Sequence, residues 1–344
     1  MEPNSHPGDK RVPFHLSPLW WESFAAAFGP LERIDMAGAR LHARIARRGI
    51  GPMSVRTLQS ATNLQTCYFD AEGAGELADL PTRLFARYRA DELRFDWLRD
   101  DAALLGAAAG WGKTHRVLVQ PYAVSPVVDC RESFEAYLAR SGKTVRKVWR
   151  TCRREVVEGN ALGFEIVTGG EGLPALLQEM FALEAAGWKG REGSAMLCIP
   201  AEAAFYTRLA HAAAAAGALR IALLREGERL IAFEYCIVSD GIVAAMKVGY
   251  DEQRTRLQPG HVLALLNIRD ACANPALDYY DMLGNSMRIA DYKRKFATDY
   301  WTISRVRLFA PTAAGLALHA FHKARPAARA LRDRARRLVA RLRR

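Results

Sequence analysis

No apolar run in this chain of 344 residues reaches the roughly 18 residues that a membrane-spanning helix needs. Even its most apolar stretch, "AHAAAAAGALRIALL", is interrupted by a glycine and an arginine. The N-terminus, "MEPNSHPGDKRVPF", lacks the hydrophobic core of a secretion signal, so export is not expected. Cysteine is sparse: Cys67, Cys130, Cys152, Cys198, Cys236 and Cys272 show neither C-x-x-C nor zinc-knuckle spacing. They read as reduced thiols of a cytosolic protein, not as disulfide staples or metal ligands. The eight histidines form no H-x-x-x-H or H-x-H pair, so no metal site is expected. "GNS" at 284–286 lacks the nucleophile-elbow pattern, which excludes an obvious Ser-His-Asp hydrolase.

Positive charge, by contrast, is abundant but uneven. The formal net charge is +12, and residues 323–344, "KARPAARALRDRARRLVARLRR", hold ten Lys/Arg against one Asp. The rest of the chain is therefore close to neutral, which argues against a domain built around a nucleic-acid groove. Within the tail, Leu331, Ala335, Leu338 and Leu342 recur at helical spacing after Pro326. Such a helix suits an anionic membrane surface, and its composition also suits tRNA phosphates or a solvated extension.

Half of the residues are apolar and a quarter charged, as in ordinary globular proteins, and the length suggests two domains. The C-terminal half has the clearer pattern. A strand at 164–169, helices over 173–188 and 201–217, and apolar strands at 218–225, 229–238 and 242–250 follow one another. Asp240-Gly241 is the preferred composition for a two-residue hairpin turn. Pro259-Gly260 opens another helix, followed by a strand at 277–283, a helix over 286–297 and a strand at 300–310. This order predicts a mixed sheet covered by helices on both faces. Fainter strand signals at 41–46, 53–60 and 65–70 precede a helix near 76–90. "FDWL" at 95–98 echoes "YDML" at 280–283, which suggests two related α/β units. Between them, residues 131–160 form a basic helical connector.

The spaced strings "LEAAGWKGREG", "AFYTRLA", "KVGYD", "PGHVLALL", "DYYDMLG" and "YKRKF" resemble the GNAT-like acyltransferases of bacterial polysaccharide and cell-envelope gene clusters. That family is related to Fem-type peptidyl transferases with tandem GNAT-like halves. The resemblance covers about 131–309, and 1–130 by layout alone. It implies an α/β fold of tandem GNAT-like units: an N-terminal half over 1–130, the connector over 131–160, a transferase domain over 161–311 and the basic tail over 312–344. It also implies transfer of an acyl group, acetyl above all, from acyl-CoA to an amine or hydroxyl of a small-molecule or glycan acceptor. The setting implied is cytoplasmic, at the inner membrane face if the tail docks there. The alternatives are a Fem-type transferase using aminoacyl-tRNA and a non-catalytic assembly module. The turn that would hold the donor's phosphates is "RLQPGH", through Arg256, Gly260, His261 and Val262, but Pro259 removes one backbone donor there.

Acyl transfer needs a base for the acceptor, a polarised carbonyl and a proton for the leaving group. Glu184 continues the apolar stripe of Leu173, Leu176, Leu177, Met180 and Phe181, where a carboxylate is costly unless it is paired or borders a cleft. It is either the base or a structural carboxylate paired with Lys189 or a connector arginine. Glu234 and Lys247 lie in strands apolar on both faces, and a regular two-residue turn sets them opposite each other, as a structural ion pair or a cleft lining. Asp281 ends a strand where α/β folds place ligands. Trp188 with Lys189 reads as a rim of the site or, for the indole, as core filling. By the resemblance, Tyr292 protonates the leaving group and Lys293 binds an anionic substrate; an interface role for Tyr292 is the alternative.

Overall fold

The structure, a computed structural model, describes residues 12–36, 38–50, 53–73, 75–159 and 161–325. The strands are β1 (Glu32–Met36), β2 (Ala39–Ile50), β3 (Met53–Ser60), β4 (Glu92–Arg99), β5 (Arg116–Asp129), β6 (Gly163–Val167), β7 (Leu219–Glu226), β8 (Arg229–Ser239), β9 (Ile242–Tyr250), β10 (Tyr279–Asp281) and β11 (Asp299–Phe309). The helices are α1 (Pro18–Phe28), α2 (Leu80–Tyr88), α3 (Ala103–Trp111), α4 (Phe134–Arg140), α5 (Lys143–Cys152), α6 (Leu173–Ala186), α7 (Trp188–Arg191), α8 (Pro200–Ala215), α9 (Pro259–Ala273) and α10 (Asp291–Phe296). A further helix, α11, covers 313–325. The expected basic tail lies outside the described residues from 326 onward. No described helix is long and apolar enough to cross a membrane.

The chain is α/β throughout, with mixed sheets flanked by helices, and it divides into two compact units that interleave in sequence. Among the described residues, the first comprises 12–30, 64–68 and 123–302, the second 31–63, 69–122 and 303–325. In the first unit, β6, β7, β8 and β9 form an antiparallel ladder, β10 joins β9 in parallel, and the end of β5 pairs antiparallel with β10. Apolar positions of β7, β8, β9, α5 and α9 bury one core here. Helix α1 is started by Ser17, whose hydroxyl accepts from Trp20 N, with Pro18 in the first turn. It docks through Trp20, whose ring meets that of Phe205 edge-on at 5.5 Å. In the second unit, β1, β2 and β3 form an antiparallel meander, β4 pairs in parallel with β3, and β11 pairs antiparallel with β4.

Two elements differ from the sequence expectation. Residues 65–70 form no strand. The helix expected from 286 begins only at Asp291, because 282–290 leave the sheet as an extended loop in which Leu283 takes a positive φ of 48°. The hairpin turn is as expected: Asp240 and Gly241 both have positive φ, 48° and 72°, the mirror-type turn that matches strand twist.

Candidate active site

β9 and β10 run side by side for three pairs, ending at Ala244–Asp281. Beyond that pair β9 continues to Tyr250, while the chain after β10 turns away. A cavity of about 970 Å³ lies beside this divergence, lined by residues of β8, β9, α7, α10 and the first turn of α9. Glu234, Lys247, Trp188, Lys189, Tyr292, Lys293, Gly260 and His261 line it, whereas Glu184, Asp281, Arg256 and Val262 do not.

The expected opposition of Glu234 and Lys247 is not what the strands do. Pairing starts in the anticipated register, Ser239–Ile242 to Cys236–Ala245, and then slips so that Tyr235 faces Lys247 and Glu234 faces Val248. Met246 is the extra residue of a β-bulge. Because side chains alternate between faces, one inserted residue sends Lys247 to the face opposite Glu234. Lys247 pairs instead with Glu202 of α8 at 2.7 Å and lies over the ring of Tyr206, 5.3 Å from its centroid. Gln65 donates to the other oxygen of Glu202 at 2.8 Å and accepts from Tyr206 OH at 2.7 Å.

Glu234 is almost fully buried, and its Oε2 accepts from Asn267 Nδ2 at 2.8 Å and Tyr280 OH at 2.7 Å. Arg220 in turn donates to Asn267 Oδ1 through Nε and Nη2, at 3.0 and 2.8 Å, which fixes the amide orientation. Burial raises the Glu234 carboxyl above its usual range, against the opposing pull of its two hydrogen bonds and the Arg220 and Lys293 charges. A carboxylate so placed binds a proton more readily than one in water, which suits a base.

Glu184 has a different setting. Its carboxylate accepts from Lys189 Nζ at 2.7 Å and from Met196 N at 2.7 Å, and Lys189 also donates to Val248 O at 2.6 Å. The carboxylate thus ties α6, the 187–198 segment and the strand just past the bulge into one wall. Glu252 secures the same wall, accepting from Trp188 N at 2.6 Å and from Arg191 at 2.7 Å.

Opposite that wall, Lys293 donates to the carbonyls of Met282 and Leu283, both at 2.7 Å. Burial lowers its pKa, while Asp281 and Glu234 oppose the shift. Asp281 is fully buried and accepts from Tyr68 OH, Ser125 Oγ and Leu283 N, so it shapes the loop that Lys293 caps. Burial raises both its carboxyl and the Tyr292 phenol, the latter with help from the negative charge of Glu234. Tyr292 therefore stays protonated through neutral pH. Its ring lies 5.7 Å from that of His261, whose pKa is lowered by burial and by Lys295, leaving a neutral imidazole at pH 7.

The N-terminus of α9 also borders the cavity, and it offers few free backbone N–H groups. Pro259 has no N–H, and His261 N and Val262 N donate to Gln258 O at 2.9 and 3.1 Å. That leaves Gly260 N as the uncommitted donor of the turn, with Gln258 and His261 side chains beside it. Arg256 is exposed and outside the cavity lining, and Val262 is buried in the core.

Sequence reasoning missed Asn267, Tyr280 and Arg220 around Glu234, and Glu202 and Gln65 around Lys247. Asn267 carries the one usable signal, a polar residue inside the apolar run "VLALLNI". The others come from chain segments whose meeting no local pattern announces.

Residues 143–294 match the family model described as an acetyltransferase (GNAT) domain. No curated protein matches the sequence. Among solved structures, FemX aligns at TM-score 0.57 and 9% identity, covering 89% of this chain and 94% of that one. The C-terminal domain assigned to a lysylphosphatidylglycerol synthetase of Agrobacterium fabrum aligns at TM-score 0.54 and 14% identity, covering 86% and 89%. L-PGS from Bacillus licheniformis aligns at TM-score 0.50 and 11% identity, covering 88% and 96%. At these identities the likeness is one of fold.

Proposed function

We propose that this chain is an acyltransferase that moves an acyl group, acetyl above all, from acyl-CoA to an amine or hydroxyl of a sugar or other envelope-related acceptor, a reading supported by the match of residues 143–294 to the acetyltransferase (GNAT) domain model. The observation that carries the reading is the cavity beside the β9–β10 divergence, with a proton-accepting carboxyl and a protonated phenol on its lining.

In this reading Glu234 takes the proton from the acceptor as it attacks the acyl carbonyl. Tyr292 gives a proton to the departing sulfur or oxygen. Trp188, Lys189 and Lys293 flank the acceptor, and Lys293, steadied by two carbonyls, keeps positive charge near the reacting centre. Glu184 acts through Lys189 as a positioning residue. Gly260 N and the side chains of the α9 turn are what the protein offers to a donor's phosphates. In this reading the basic tail seats the enzyme on an anionic membrane.

A second reading replaces acyl-CoA with an aminoacyl ester of tRNA. The depleted cradle at Pro259 favours it, because a pyrophosphate finds few free N–H groups there. The structural likeness to FemX and L-PGS is compatible with it. Thermal denaturation of the full chain with a series of acyl-CoAs, and separately with aminoacyl-tRNA, separates the readings. A ligand at 100 times its Kd adds about 2.7 kcal/mol. A rise with acyl-CoA alone supports the first reading, a rise with aminoacyl-tRNA alone supports the second, and no rise with either overturns both.

A further inference from the structure

The carboxyl on the cavity lining is held by a chain of hydrogen bonds that runs outward through the first unit. Arg220 of β7 pairs with Cys236 of β8, and Glu234 lies two residues from Cys236. Side chains two apart on a strand share a face, so Arg220, Cys236 and Glu234 project together towards α9. There Asn267, fully buried in an apolar helix, meets all three. Its Oδ1 accepts from Arg220, and its Nδ2 reaches Glu234 Oε2 at 2.8 Å and Cys236 Sγ at 3.7 Å. Arg220, itself 7% exposed, ends the chain on Asp270 Oδ2 at 2.5 Å, one turn along α9, where the carboxylate is 43% exposed.

The chemistry of arginine gives this chain a direction. A guanidinium carries donors only, so the Asn267 atom it binds is the oxygen and the NH2 group must face Glu234. That NH2 group only donates, so Glu234 Oε2 only accepts from it. Tyr280 OH donates to the same oxygen at 2.7 Å. Oε2 therefore carries two donors, and a proton placed on it would meet both. Among the described residues no hydrogen bond reaches Oε1. Glu234 is 2% exposed and lines the cavity, so Oε1 is the oxygen left to a molecule bound there.

We propose, on the acyl-transfer reading of the cavity, that Arg220 and Asn267 are positioning residues that commit Glu234 Oε2 as an acceptor and make Oε1 the atom that takes up the proton of the attacking group. As the N–H or O–H bond of the acceptor breaks, its proton passes to Oε1 and its electron pair forms the new bond to the acyl carbon. The pair of the broken acyl bond leaves with the sulfur or oxygen that Tyr292 protonates. Arg220 acts through the amide, by favouring the carboxylate form. The groups around Glu234 that carry or change charge are Arg220 of β7, Cys236 of its own strand, Tyr280 of β10, and Tyr292 and Lys293 of α10. Helix α9 adds His261 on the lining and, behind Arg220, Asp270. Of these, Arg220 and Lys293 are the cations that favour the anion.

Carbon NMR of the full chain grown with carboxyl-labelled glutamate reads the protonation of Glu234 without any substrate, its signal assigned by its loss in Glu234→Gln. In Arg220→Gln the carboxyl should titrate about one pH unit higher than in wild type, the effect of losing a nearby opposite charge. Arg220→Lys, which keeps the charge, should bring the titration back towards the wild-type value. The acidic limb of kcat/KM for thiol release from acetyl-CoA should move with the carboxyl in both variants, with the rate at high pH affected least. Identical titration in wild type and a folded Arg220→Gln protein overturns the proposal. So does an Arg220→Lys protein that shifts as far as Arg220→Gln, and so does an acidic limb that stays in place while the carboxyl moves. If circular dichroism shows that Arg220→Gln does not fold, Asp270→Asn at the solvent end tests the opposite sign. With the guanidinium charge uncompensated the Glu234 titration should fall, and a rise or no change overturns the proposal. A wild type that releases no thiol refutes the acyl-transfer reading, while the carbon titration still decides the link from Arg220 to Glu234.

Discussion

Replacing Lys189 by methionine isolates the role of the ion pair behind the cavity wall. The substitution keeps much of the side-chain length but removes the ammonium that binds Glu184 Oε1 and Val248 O. Glu184 cannot turn to water, because its side chain is 1% exposed; Met196 N still donates to it. Breaking one side of a buried pair in this way costs about 3–5 kcal/mol, because the surviving charge stays buried. The surviving N–H bond puts the expected loss near the lower end, about 3 kcal/mol. For a unit of this size each kcal/mol moves Tm by about 2–4 °C, so a fall of about 10 °C is expected. Glu184→Gln should cost less, about 1 kcal/mol, since the amide still accepts from Met196 N and Lys189 is 23% exposed and reaches water. The double variant should be more stable than Lys189→Met alone, because it leaves no buried charge. Calorimetric denaturation of the four proteins at pH 7 reads all three. Equal loss in the two single variants, or a double variant less stable than Lys189→Met, refutes the argument that the wall rests on this pair.

Glu234→Gln should lower turnover by about 10²- to 10⁴-fold, the usual share of a general base, and raise stability at neutral pH. The sign follows from its raised folded pKa: the contribution is fully present below the unfolded value and is lost as pH rises through the folded one, so the variant's advantage should grow with pH in denaturation runs. His322, buried beside Arg307, is the opposite case, with its pKa pulled down to about 4 from 6.5 by burial and the Arg307 charge. Its contribution is present above pH 6.5 and is lost as pH falls towards 4, by roughly 3 kcal/mol in all. His322→Gln should flatten the stability slope across that window, and an unaltered slope would show that the imidazole does not titrate as placed. Removing residues 323–344 should leave turnover on a soluble acceptor unchanged and abolish co-sedimentation with anionic vesicles at low salt; equal pelleting of both proteins would mean the tail does not dock.

What the sequence made legible follows the range of each physical signal. The Asp240-Gly241 turn is a two-residue decision, and the hairpin obeys it. The register beyond it depends on the slip at Met246, which has no composition of its own, so the facing of Glu234 and Lys247 was lost one residue past a correct ladder. Glu184 stood out because a carboxylate on an apolar stripe must be paired or solvated, and Lys189 five residues on was already visible as its alternative partner. Asn267 and Tyr280, which hold Glu234, lie 33 and 46 residues away in sequence, and only the fold brings them together. The same holds for the assignment of 12–30 to the unit formed by 123–302, which rests on tertiary packing such as Trp20 against Phe205.

The most direct test of the central claim is release of free thiol from acetyl-CoA by the full chain, followed spectrophotometrically with a panel of amino sugars and sugar alcohols. The account predicts release that depends on one class of acceptor, saturates with it, and falls by about 10² or more in a folded Glu234→Gln protein. Acceptor-dependent release that is equal in wild type and Glu234→Gln would contradict the proposed chemistry of the cavity.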